Sequence, residues 1–229
     1  FVWRLNRCVS CDLTGFDFEL EDLDADAHTG TYEDHYIFLS HYKVEAGTEA
    51  SLMRDLMLKV IRDDLSHEAC DFFAPVFIDS EDLIQLSRLK AHVKGSKNFL
   101  LLLSPGVLTR PWCLVEIVCA VRHNVSLIPV EIQRPGMRYK YPEEAWYQEL
   151  LQGKVLKEEG AALLQEMGIT LDEVAHAIRT VFLKIALPFS PHKSSNIRSA
   201  EIDDILKRAA SESLRLRRSG GHGSESMTC

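Results

Sequence analysis

The sequence predicts an α/β fold, a mostly parallel sheet with helices on both faces. Three observations predict it. Short apolar runs of strand length recur at residues 36–39 (YIFL), 75–78 (PVFI), 98–103 (NFLLLL) and Ser126–Ile132 (SLIPVEI). Longer segments between them return their apolar residues at helical spacing. Each run closes on polar or turn-forming residues: Ser40, Asp79, Ser104-Pro105-Gly106 and Gln133-Arg134-Pro135-Gly136. Strands alternating with helices at this spacing are right-handed βαβ units, and a doubly wound, flavodoxin-like sheet of order 2-1-3-4-5 is the expected topology.

Taken in order, residues 1–31 form an acidic lead-in. No Lys or Arg stands between Arg7 and Lys43 while Asp and Glu accumulate, and no core periodicity follows Leu5. A start at Phe1 is expected of a piece of a longer protein. The run 36–39 has the continuous apolarity of a strand buried on both faces. A helix is expected from about Thr48, with Leu52, Leu56, Val60 and Ile61 as its inner stripe. The second strand, 75–78, ends at Asp79, and a polar loop leads to a helix over 84–93.

The third strand, 98–103, breaks at Ser104-Pro105-Gly106, and a helix over 111–123 has Pro111 in its first turn. Its stripe is Leu114, Ile117, Val118 and Val121. The fourth strand follows, then helices over 142–153, 155–167 and 170–187, the last with Val174, Ile178, Val181 and Ile185 inward. A fifth strand has no clear position. Pro188, Ser190 and Pro191 break the chain before a helix over 199–218 that puts Ile202, Ile205, Leu206 and Ala209 on one face and ends in Arg215, Arg217 and Arg218. That helix is expected either to dock on the domain or to serve as a linker or self-association element. Residues 219–229, rich in Gly and Ser, are expected to be disordered. The domain expected from this pattern spans 32–187, with 188–229 outside it.

Composition excludes several classes. A net charge of -8 opposes a general nucleic-acid binder, which needs many phosphate contacts. No apolar run approaches the roughly 20 residues that span a bilayer. Six cysteines show no disulfide framework, and a reducing, cytoplasmic setting is expected. Cys8 and Cys11 have half of a zinc pattern without a second pair, so no metal centre is expected.

The chemistry concentrates at the third strand and its helix. At roughly 100° per residue, Glu116 lies opposite the stripe of Leu114 and Ile117, and Trp112, one turn earlier, is on the side of Glu116. In the 2-1-3-4-5 order, ligands sit outside the carboxyl ends of the strands where the order reverses, between the first strand and the third. The loop leaving the first strand carries Ser40, His41, Tyr42 and Lys43, and the loop leaving the third delivers Trp112 and Glu116. Other occupants of this architecture fail at these positions. No acid stands beside Ser104 for phosphoryl transfer, and neither G-x-G-x-x-G nor G-x-x-x-x-G-K-[ST] occurs. No nucleophile elbow is present. His41 and His123 read as hydrogen-bonded surface groups.

These boxes resemble those of a TIR domain. Residues 36–40 are similar to the family's first-strand box, residues 75–79 to its V-F-I-D strand, and residues 98–106 to the strand ending in L-S-P-G. Residues 110–117 (RPWCLVEI) resemble the W-C-x-x-E box of plant immune TIR domains and the W-x-x-x-E of the animal axon-degeneration NAD hydrolase. The resemblance covers residues 32–187. It implies one of two roles in a signalling or innate-immune setting: cleavage of NAD to nicotinamide and ADP-ribose or a cyclic ADP-ribose, or non-enzymatic association with other TIR domains. Under the first, Glu116 is catalytic. Ser40, His41, Tyr42, Lys43, Asp79, Trp112 and Cys113 bind the nucleotide, NAD is substrate rather than cofactor, and the active form is a homo-oligomer. The loop after Asp79 lacks the glycine common in the family, and His41-Tyr42 is atypical after the serine.

Overall fold

In the computed structural model, the described residues are 34–78, 86–136 and 138–220. They form a five-stranded, all-parallel sheet of order β2-β1-β3-β4-β5. The strands are β1 (His35–Ser40), β2 (Val76–Ile78), β3 (Ser96–Leu103), β4 (Ser126–Ile132) and β5 (Leu187–Phe189). The helices are α1 (Lys43–Asp63), α2 (Leu86–Gly95), α3 (Pro111–Arg122), α4 (Glu144–Leu151), α5 (Glu158–Glu166), α6 (Leu171–Phe182) and α7 (Ser195–Gly220). The doubly wound, flavodoxin-like order expected from the sequence is the order observed.

The sheet divides the core in two, because successive residues of a strand point to opposite faces. Leu100 and Leu102 of β3 pack with α1 and α7, while Phe99, Leu101 and Leu103 pack with α2, α3 and α6. Every residue of β1 is buried, as its continuous apolarity implies. Phe38 shares the α3 face, and strand periodicity gives Ser40 the same side. The two central pairings run in register, Phe38 with Phe99 and Leu102 with Val130.

Four sequence expectations give way. Helix α1 starts at Lys43 rather than Thr48, and its buried stripe is Ala46, Ala50, Met53, Met57 and Ile61. Leu52, Leu56 and Val60 sit at the margins of that core, and two small alanines, invisible as core markers, hold its centre. Helix α6 stops at Phe182, and Ile185 is 79% exposed rather than inward. The fifth strand is Leu187–Phe189, pairing Leu187 with Val130 and Phe189 with Ile132. Pro188, a chain break by sequence, is tolerated because β5 is the edge of the sheet and a proline there loses no ladder bond.

The boundary at residue 187 is corrected with it. Helix α7 packs against β4, β5 and α1 and buries Ile202, Ile205, Leu206 and Ala209, so it is part of the domain. The backbone amide of Ser190 donates to Glu201 at 2.6 Å, tying the turn after β5 to this helix. Among the described residues no helix is long and apolar enough to cross a membrane. The lead-in 1–31, Asp79 and residues 221–229 lie outside the described residues.

Candidate functional site

The reversal of strand order falls between β1 and β3, where β1 hands the chain to α1 and β3 hands it to α3. The β3–α3 connection is braced from the first strand's side. The amide of Gly106 donates to Glu45 Oε2 at 2.8 Å, and the Arg110 guanidinium lies 4.9 Å from the centroid of the Tyr42 ring. A Cβ at Gly106 would come within 2.7 Å of Glu45 Oε1 and 3.2 Å of Tyr42 Cε1, so a side chain there would push aside the carboxylate that accepts from its own amide. Arg134, from beyond β4, donates to the backbone oxygen of Glu45 at 2.7 Å and pairs with Glu49 at 2.5 Å. Glu45, Glu49 and Arg134 escaped sequence reasoning, because nothing in their spacing marks them as partners of a loop some 60 residues away.

Pro111 opens α3 in its first turn, where its missing N–H costs no helical bond. From Cys113 to Ala120 every residue of α3 is buried, because β4, α2, α5 and α6 pack around it. Glu116 is therefore not on a solvated face. It is 2% exposed, and the Ser40 hydroxyl donates to its Oε2. One turn earlier, the Cys113 thiol donates to the backbone oxygen of His41 at 3.4 Å. These two bonds fasten the start of α3 to the end of β1. Trp112 is 37% exposed, so the indole and the carboxylate do not share an open face as the helical wheel implied. The wheel missed this because it counts one burying surface, whereas here α2, α5 and α6 and the residues ending β1 cover the helix on further sides.

The structure thus brings Ser40, the backbone of His41, Cys113 and Glu116 together. Tyr42 caps α1 and packs on the core edge, Lys43 is exposed at the first turn of α1, and Asp79 falls outside the described residues. His123 is bonded at 2.9 Å to the Cys119 backbone oxygen. Burial pushes the Cys119 thiol up, which favours its protonated form. A carboxylate out of water is costly unless bonded, and one held by a hydroxyl at a strand's carboxyl end is placed to act on charge developing nearby. Among the described residues no group of three or more His, Cys, Asp or Glu is arranged to hold a metal.

No family model matches the chain, and no curated protein matches it. Among solved structures, the TIR domains of the activated Roq1 resistosome directly recognizing the pathogen effector XopQ are similar over 75% of this chain and 96% of that one, with 15% identity and a TM-score of 0.43.

Proposed function

We propose that this chain is a TIR-type signalling domain that cleaves NAD, releasing nicotinamide and leaving ADP-ribose or a cyclised form of it, with Glu116 as the catalytic carboxylate. One observation carries the reading: a carboxylate 2% exposed, bonded to the hydroxyl that ends β1, at the point where the strand order reverses. The W-C-x-x-E spacing of Trp112, Cys113 and Glu116 adds to it.

Nicotinamide leaves NAD as a neutral base, so its bond to ribose breaks with little acid assistance. The transition state instead needs negative charge beside the developing oxocarbenium ion. Glu116 supplies that charge, and Ser40 holds the carboxylate in one orientation. Trp112 offers an aromatic face for the nicotinamide, and His41, Tyr42, Lys43 and Asp79 border the nucleotide. Water then attacks the ribose to give ADP-ribose, or the adenine of the same molecule attacks to give a cyclic product.

Nicotinamide release from NAD tests this. Glu116→Gln keeps the volume and an acceptor for Ser40, and turnover is expected to fall about a hundredfold or more; unchanged turnover removes Glu116 from the mechanism. A second reading, an assembly module that associates with other TIR domains and has no turnover, is favoured by the same carboxylate being enclosed and bonded within the chain. Absence of nicotinamide release from protein fused to an oligomeriser, with the fold intact, selects that second reading.

A further inference from the structure

On the other side of the β3–α3 connection, away from β1, two buried hydroxyls have no hydrogen-bond partner. They are Ser104 Oγ and Tyr139 OH, in residues 3% and 6% exposed. Both residues line a partly open recess of about 10 Å³ at the carboxyl ends of β3 and β4, together with Leu103, Pro105, Ile132 and Arg134. That volume is the room of a single oxygen atom with its hydrogens. Buried polar groups are nearly always bonded, so two orphans sharing one void point to an oxygen that comes from outside the chain.

Pro105 and Tyr139 also line a groove of about 720 Å³ that opens beside the void. Its volume is in the range of small-molecule sites. The wall is aromatic and fixed. Tyr141 meets Tyr139 edge-on at 5.0 Å and Phe182 at 5.4 Å, and its hydroxyl donates to Glu131 at 2.8 Å. Trp146, half-buried, adds a second ring system, braced edge-on against Tyr147 at 5.3 Å. Two exposed cations, Arg138 and Lys140, and two exposed carboxylates, Glu143 and Glu149, also line the groove. Planar rings, two cations and a hydroxyl-lined recess in one groove suit a planar base joined to a phosphate through a sugar. The two carboxylates disfavour a longer polyphosphate.

We infer that this groove is a binding site for a nucleoside monophosphate, separate from the Ser40–Glu116 couple. The base stacks on the Trp146 and Tyr141 wall, Arg138 and Lys140 take the phosphate, and a ligand oxygen, directly or through one water, satisfies Ser104 and Tyr139. The site does not require NAD cleavage, because it lies across the β3–α3 connection from Glu116.

Calorimetric titration of the whole chain with adenosine 5′-monophosphate, with adenosine, and with inorganic phosphate tests the inference. The monophosphate is expected to bind saturably, and adenosine and phosphate each about tenfold more weakly or worse. Arg138→Ala with Lys140→Ala, both surface changes, is expected to weaken the monophosphate about tenfold and leave adenosine unchanged. Tyr139→Phe, which removes the hydroxyl alone, is expected to weaken both nucleoside ligands, and Trp146→Ala to weaken them about tenfold by loss of stacking. Glu116→Gln is expected to keep the affinity. No saturable binding at millimolar monophosphate, affinity indifferent to the Arg138 and Lys140 changes, or affinity lost in Glu116→Gln overturns the assignment.

Discussion

At its amino end β1 buries His35, and at its carboxyl end it buries Ser40. His35 is bonded within the protein on both ring nitrogens, to the backbone oxygen of Ala74 at 2.8 Å and to His92 Nδ1 at 2.8 Å. It is also stacked on Phe77 at 4.7 Å between ring centres. Burial pushes His35 down to about 4, with the neighbouring His92 adding to the effect, so it is held neutral. Ser40 instead reaches a carboxylate 76 residues away, and past it lie Ser104 and Tyr139 with hydroxyls unmatched inside the chain. The contrast teaches that the two ends of β1 use their buried polar groups differently. At the amino end of β1, His35 is answered by backbone and by rings. At its carboxyl end Ser40 is bonded to a buried carboxyl, on the edge of the sheet where doubly wound folds bind ligands.

The sharpest way to break this contrast is at Glu116. Beyond the expected loss of nicotinamide release, Glu116→Ala strands the Ser40 hydroxyl, a cost of about 1–3 kcal/mol on denaturant unfolding that Glu116→Gln avoids. An equal loss of stability in both variants reduces the couple to a structural latch.

At the amino end the expected effect is on pH. Because folding lowers the His35 value from its ordinary 6.5 to about 4, the unfolded chain binds the extra proton between those values. The His35 contribution is whole above pH 6.5 and is lost as pH falls toward 4, roughly 3 kcal/mol in all. Denaturant unfolding at pH 7 and pH 4.5 measures the loss. In His35→Gln, which has no titrating ring, the pH-dependent part is expected to shrink by that amount whatever the variant's absolute stability. A slope unchanged by the substitution removes His35 as its source.

Two smaller effects sharpen the carboxyl end. Gly160 of α5 lies where a Cβ would meet Pro111 Cγ at 2.6 Å, and the proline ring at the start of α3 has little freedom to move. Gly160→Ala is expected to cost about 1–3 kcal/mol by overpacking and to weaken any activity that depends on the placement of α3. Arg134→Ala removes the bonds to Glu45 and Glu49, with an expected loss of about 1 kcal/mol, since both partners are partly exposed. Thermal unfolding of the two variants orders them.

Much of this architecture was legible because it rests on local pattern. The runs 36–39 and 98–103 and Ser126–Ile132 are apolar enough to be central strands whatever surrounds them, and Ile202, Ile205, Leu206 and Ala209 mark the buried face of α7 as periodicity says. Leu187–Phe189 was not legible. A three-residue edge strand containing proline carries no alternation, and only its pairing with β4 makes it a strand. The stripe of α1 was misread because Ala46 and Ala50 are too small to register as core while they decide how closely the helix approaches the sheet.

The residues of the candidate site were named from the chain, but their relation was not. Spacing alone put Trp112 and Glu116 on one side of a helix at the end of a strand, and the order of strands and helices put that helix beside β1. That one of the pair is exposed and the other enclosed, that Ser40 is bonded to it, and that Tyr139 and Ser104 share a void, were decided by packing. Periodicity describes one element against one surface. Whether a carboxylate meets water or a hydroxyl depends on a second surface, brought by a strand far away in sequence.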